Sequence, residues 1–199
     1  MNKMRVGIFG GTFNPPHIGH ISAAQAFLKG ANLDKLIIIP AFIPPHKEYD
    51  SLTTCEDRLE MCKLAFKGVP KTEVSDLEIQ RGGKSYTYLT LGELSSEESE
   101  LYFLCGTDMI LTMDTWMHPE VIFNLANICY IRRESDPVKK DLIEMKCKKY
   151  VDDYDARILP IDSEVIEISS SDLRNGEKDV DAYLTDDVLE YIMQKELYK

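Results

Sequence analysis

Residues 5–20 read RVGIFGGTFNPPHIGH, and this stretch decides the architecture. Its opening, residues 5–10, is a short apolar run of the kind a buried strand needs. Gly10 and Gly11 then remove side chains where backbone can approach a ligand closely. Pro15 and Pro16 stiffen the turn by fixing φ. His17 and His20 stand three apart at the start of a helix, so both rings can lie on one face. A helix start also supplies backbone N–H groups and the positive end of a dipole, which suit phosphate. Two imidazoles there can donate hydrogen bonds to oxygens that gain charge during phosphoryl transfer. One loop histidine or one glycine pair would mean little; the whole string between a strand and a helix is far more specific. Zinc fits less well, because helical zinc pairs usually stand four apart and no third ligand accompanies these two.

Working outward, short β-rich runs at 35–40, 73–79, 101–106 and 127–132 join the first as predicted strands. Helical patterns lie between them. One carries Ile18, Ile21, Gln25 and Leu28; the next opens on a capping box of Thr53 and Glu56 and places Cys55, Leu59, Cys62 and Phe66 on one side. Asp136-Pro137 opens another helix, and residues 185–197 form a last one with Asp186 and Asp187 in its first turn. This alternation predicts a doubly wound parallel α/β sheet with helices on both faces, in one domain over 1–199. Ligands of such sheets bind beyond the carboxyl ends of the strands. No G-x-G-x-x-G follows the first strand, and Gly83-Lys84-Ser85 lacks the earlier glycine of a P-loop, where Glu78 stands.

Hydrophobic residues make up 44% and charged residues 29%, as in a folded globular chain. A net charge of −11 argues against a nucleic-acid coat, though clustered cations in a cleft can still take a phosphorylated substrate. The run after Arg5 is broken at Gly7, too short for a signal-peptide core, and no stretch approaches a membrane span. Five cysteines without a C-x-x-C pair read as free thiols, with Cys55 and Cys62 buried. The expected compartment is the cytoplasm. A homo-oligomer is left open.

GGTFNPPHIGH resembles the G-x-F-x-P-x-H-x-G-H signature of the nucleotidyltransferase superfamily, and the nearer resemblance is to the bacterial nicotinate-nucleotide adenylyltransferases. Asn14 replaces that family's usual Asp. The resemblance implies a Rossmann-like fold and adenylyl transfer from ATP to nicotinate mononucleotide, releasing pyrophosphate, with Mg2+ entering on ATP. It extends in order along the chain: P-P-H-K at 44–47, R-x-x-M at Arg58 and Met61, S-Y-T at 85–87, G-T-D at 106–108, Trp116, Arg133, and I-S-S-S-D-L-R at 168–174.

What this implies for the site is a division of labour. His17, His20 and Arg174 would be catalytic. Gly10, Gly11, Thr12, Phe13, His20, Gly106, Asp108, Ile168, Ser169, Ser171 and Arg174 would line the ATP site. Thr12, His17, Lys47, Ser85, Tyr86, Thr87, Asp108, Trp116 and Arg133 would take the second substrate. Lys47 is a flexible cation suited to phosphate, and Trp116 a flat face on which a positively charged ring can stack. Ser171 and Arg174 would face the β- and γ-phosphates. Simpler roles stand beside these: Ser85 or Thr87 can cap a helix, Trp116 can be core, and Arg58 reads as structural. Two other functions are open: a related transferase with another phosphorylated substrate, and a non-catalytic nucleotide-binding module. A class I tRNA synthetase is disfavoured by length, acidity and the missing K-M-S-K-S.

Overall fold

The run beginning at Met4 folds as predicted into the central strand of a parallel sheet. The computed structural model describes residues 3–45, 53–132, 137–164, 166–176 and 179–198. In chain order the elements are β1 (Met4–Gly11), α1 (Ile18–Gly30), β2 (Lys35–Pro40), α2 (Cys55–Phe66), β3 (Thr72–Val74), α3 (Leu77–Arg81), α4 (Thr87–Leu94) and β4 (Ser99–Cys105). Then follow α5 (Thr107–Thr112), a 3₁₀ turn (Met113–Thr115), α6 (Pro119–Leu125), β5 (Ala126–Arg132), α7 (Pro137–Tyr154), β6 (Ile158–Asp162), α8 (Ser170–Arg174), α9 (Val180–Tyr183) and α10 (Asp186–Gln194).

The six strands pair in parallel in the order β3-β2-β1-β4-β5-β6. Strand order reverses between β1 and β4, so the crevice at such a reversal lies beyond Gly11 and Cys105. Side chains alternate across the sheet. Leu36 and Ile38 face α1, α2 and α10, whereas Ile37 and Ile39 face the layer of α4 to α7. Both edges are poor templates for further pairing: β3 has three residues and β6 carries Pro160. No helix among the described residues is long and apolar enough to cross a membrane.

Several sequence expectations shift here. The buried face of α1 is Ala23, Ala24 and Phe27, with Gln25 exposed. Small residues let this helix lie close to β1, where a Cβ on Gly7 would strike Leu33 and Phe27. Helix α2 is capped by Thr54, which accepts from the Asp57 N–H at 3.1 Å, one residue later than the predicted box. Its buried side is Arg58, Met61, Cys62, Ala65 and Phe66; Leu59 is half-buried and so is Cys55. Residues 73–79 are not one strand: β3 stops at Val74 and α3 begins at Leu77, after Ser75 and Asp76 turn the chain. The last helix ends at Gln194.

One ion cluster fixes the 3₁₀ turn to α7. Lys146 reaches both carboxylate oxygens of Asp114 at 2.9 Å, and Lys149 reaches Oδ2 at 2.9 Å. The Tyr150 hydroxyl donates to the Ile110 carbonyl at 2.8 Å and lies 3.2 Å from Asp114 Oδ1. Burial pushes the Asp114 carboxyl up, but the hydrogen bonds from the two lysines and Tyr150 outweigh it and bring it down to about 2. A folded pKa below the unfolded one gives stability that is present above the unfolded value near 3.8 and is lost as pH falls toward 2. Urea titrations between pH 5 and pH 2 should therefore show the parent losing roughly 2 kcal/mol more than Asp114→Asn. Parallel curves for the two proteins would remove Asp114 from the account.

Candidate active site

Beyond β1 the chain turns sharply, with Phe13 in the left-handed region at φ 49° and a cis peptide between Asn14 and Pro15. The Phe13 ring is buried against Phe9, Phe66 and His20, leaving only its backbone for a ligand. It also accounts for Gly11, whose Cβ would lie 2.9 Å from that ring. A Cβ on Gly10 would meet open space, which leaves room for a ligand.

His17 is the N-cap of α1, and its backbone N–H donates to Nδ1 of His20 at 3.2 Å. The two rings lie against each other, centroids 3.7 Å apart and planes tilted by 32°. An acceptor at Nδ1 puts the ring hydrogen of neutral His20 on Nε2. Gly19 makes this packing feasible: a Cβ there would stand 3.0 Å from both His17 Nδ1 and Ile168 Cγ2.

Ile168 belongs to the late motif, which docks directly on the first. Ser169 caps α8 reciprocally with Asp172, so the simple capping role is real for this serine. Ser170 Oγ donates to the Pro15 carbonyl at 2.9 Å. Arg174 Nη1 donates to the Asn14 carbonyl at 2.6 Å, across 160 residues of sequence, and Nη2 lies 3.3 Å from Ser171 Oγ. The buried side chain of Ile168 packs in the core. The His17–His20 pair and the Ser171–Arg174 pair thus share one end of the sheet.

Beneath them sits Arg58, only 1% exposed and left outside the site by sequence reasoning. Its guanidinium donates to the carbonyls of Thr12 at 2.9 Å, Phe42 at 3.1 Å and Thr53 at 3.4 Å. One planar fork holds three separate segments. Ser85 makes the next link: its Oγ accepts from the Phe42 N–H at 2.9 Å, and Ile43 bridges Lys84. Neither Ser85 nor Thr87 caps α4, whose N-cap is Tyr86 without a side-chain bond. As the first two helical residues, Thr87 and Tyr88 have N–H groups with no acceptor inside the helix.

On the other side of the crevice, Gly106 is the N-cap of α5 and Asp108 lies in its first turn, 86% exposed and 3.2 Å from Lys139. Trp116 is half-buried, edge-on to Phe103 at 6.4 Å, and packs at the margin of the core. The Tyr88 ring meets His118 at 4.7 Å and joins α4 to the segment after Trp116. Lys47 and Arg133 lie outside the described residues. Among the described residues no group of three His, Cys, Asp or Glu could hold a metal by itself. Burial pushes the thiol of Cys129 up to about 12 and that of Cys147 to about 11, so both stay protonated and poorly nucleophilic.

Removing Arg58 should leave three carbonyls short of a donor. Arg58→Met is expected to cost roughly 3 kcal/mol in urea unfolding, with no rescue by Lys, whose single nitrogen cannot span the three. A loss below about 1 kcal/mol would mean water replaces the guanidinium freely.

The cytidylyltransferase-like family model matches residues 8–176. A Clostridium botulinum protein (strain Kyoto / Type A2) named probable nicotinate-nucleotide adenylyltransferase is 38% identical over 197 residues, covering 96% of this chain and 98% of its own. A Desulfatibacillum aliphaticivorans protein of the same name is 43% identical over 142 residues, 71% of this chain and 64% of its own. In fold, the chain is similar to Plasmodium falciparum nicotinic acid mononucleotide adenylyltransferase complexed with NaAD, with TM-score 0.77 at 20% identity, covering 98% of this chain and 97% of that one. The same Plasmodium protein complexed with APC gives 0.75. Helix-start histidines, a late hydroxyl–guanidinium pair and near full-length identity to named relatives agree: the chain belongs to the cytidylyltransferase-like family and, within it, to the nicotinate-nucleotide adenylyltransferases.

Proposed function

We propose that this chain transfers the adenylyl group of ATP to nicotinate mononucleotide, forming nicotinate adenine dinucleotide and pyrophosphate. The observation that carries this reading is the direct docking of the 168–174 segment on the 14–20 turn, through Arg174 to Asn14 and Ser170 to Pro15. It puts two imidazoles and a guanidinium at one end of the sheet, the arrangement a bound triphosphate needs. The shared name of the full-length relatives supports the nicotinate nucleotide as acceptor.

In this reaction a phosphate oxygen of nicotinate mononucleotide attacks the α-phosphorus of ATP. The bond from that phosphorus to the β-bridging oxygen breaks, and pyrophosphate departs with the electron pair. The protein's work is positioning and charge stabilisation. His20, with its hydrogen on Nε2, donates toward the α-phosphate oxygens, and His17 completes the pair. Arg174 and Ser171 receive the charge that builds on the β-phosphate, while Gly10, Gly11 and Thr12 let backbone close on the nucleotide. Asp108 and Gly106 face a ribose. The chemistry magnesium supplies when bound is neutralisation of triphosphate charge, and the exposed Asp108 carboxylate is an oxygen donor that fits a hydrated ion of that kind. Ser85, Tyr86 and Thr87 offer a hydroxyl and first-turn N–H groups to the pyridine carboxylate, with Trp116 against the ring. Lys47 and Arg133 serve the substrate phosphate.

The test is pyrophosphate release with ATP and magnesium, comparing nicotinate mononucleotide, its amide and phosphopantetheine. Turnover with the nicotinate nucleotide should exceed that with the other two. Preference for phosphopantetheine would replace the substrate proposed here. In the same assay His20→Ala should lower turnover by roughly 10²–10³, the loss typical of one preorganised donor. Near-native turnover in a folded His20→Ala protein would contradict the role given to that ring.

A further inference from the structure

Helix α10 ends in a turn that aims the chain back at the active site. The Leu197 N–H donates to the Ile192 carbonyl at 3.1 Å, the Glu196 N–H to the Met193 carbonyl at 3.3 Å, and Glu196 takes φ 55°. This is the paired-bond, left-handed ending of a Schellman motif, and it reverses the backbone within two residues. The helix before it is anchored by buried Val188 and by the Tyr191 hydroxyl, which donates to Asp57 at 2.9 Å. Leu197 then packs on the core, and the Tyr198 hydroxyl meets Asn14 Oδ1 at 2.8 Å, across 184 residues of sequence.

Asn14 is 1% exposed, and its Oδ1 also accepts from Thr53 Oγ1 at 2.8 Å. Two hydroxyls on one carbonyl oxygen fix the rotation of the amide. The backbone carbonyl of the same residue receives Arg174, and three residues later stands His17. We propose that Tyr198 is a positioning residue for adenylyl transfer: through Asn14 it fixes the turn from which His17 and Arg174 act. This rests on the function proposed above. Burial raises the Tyr198 hydroxyl to about 12, so it stays protonated and donating at neutral pH. Asn14 is thereby an acceptor for neutral donors inside the fold.

Tyr198→Phe keeps the ring and removes one hydrogen bond. The assay measures kcat and KM for ATP and nicotinate mononucleotide, together with Tm, in the parent, Tyr198→Phe, Asn14→Ala and the double variant. Expected is a fall of about tenfold in kcat for Tyr198→Phe, the effect of one lost buried hydrogen bond expressed at the reacting groups. KM should stay within about twofold and Tm within about 4 °C, since a residue that only braces the fold would move Tm and leave the kcat of the folded fraction alone. The double variant should be no slower than Asn14→Ala, because both changes break one linkage. An active parent with unchanged kcat in Tyr198→Phe, or strictly additive losses in the double variant, overturns this inference alone. A parent that releases no pyrophosphate from these substrates overturns the function reading, and this inference with it.

Discussion

The 2.6 Å hydrogen bond from the Arg174 guanidinium to the Asn14 carbonyl joins the first loop of the sheet to the last helical turn before α9. The histidine pair of the first loop and the Ser171–Arg174 pair are arranged around that closure. A charged donor on a neutral carbonyl is stronger than an amide–amide bond, yet it uses only part of a guanidinium that carries five N–H groups. The same side chain can therefore hold the turn and still present donors to an anion. Ser170 reinforces the closure through Pro15, and Gly19 leaves room for both Ile168 and the His17 ring beside it. The distance in sequence is large, so this contact forms only when the whole sheet is in place.

Arg58 supplies the second constraint, from below. A buried cation is costly unless its hydrogen bonds are met, and the carbonyls of Thr12, Phe42 and Thr53 meet them from three segments. An arginine suits this task because its donors are fixed in one plane and cannot be lost by deprotonation. Arg58 and Arg174 thus place two guanidinium groups against the first loop, within a chain whose net charge is −11. An acidic exterior and an anion site are compatible because the relevant charges are few, clustered and partly buried.

The strands at 35–40 and 127–132 were legible because buried parallel strands are continuous apolar runs, and the first junction because glycines, prolines and two histidines occur together. Fold class followed from that alternation. Three features were hidden for physical reasons. β6 contains Pro160, which breaks the strand pattern and is tolerated only because this strand lies at the sheet edge. Residues 73–79 have strand-like composition, but Ser75 Oγ accepts from the Leu77 N–H and Asp76 begins a helical turn, a local bond that composition does not announce. Thr53 looks like a helix cap from its spacing to Glu56, yet its hydroxyl goes to Asn14 and Thr54 takes the cap. Arg58 illustrates the limit well: the sequence reads it as structural, and only the tertiary fold reveals three carbonyls converging on it.

The same logic extends to the start of α4. Ser85 Oγ already accepts from the Phe42 N–H, so its lone pairs are partly engaged while its own proton remains to be given away. The first-turn N–H groups of α4 are donors as well. Donors arranged in this way would pair well with a carboxylate, which only accepts, and poorly with a carboxamide, whose NH₂ would face hydrogen against hydrogen. Preference for an acid over its amide thus needs no cationic side chain. It can arise from a serine committed as acceptor to a neighbouring loop, and that commitment in turn depends on Arg58 holding the Phe42 carbonyl in place.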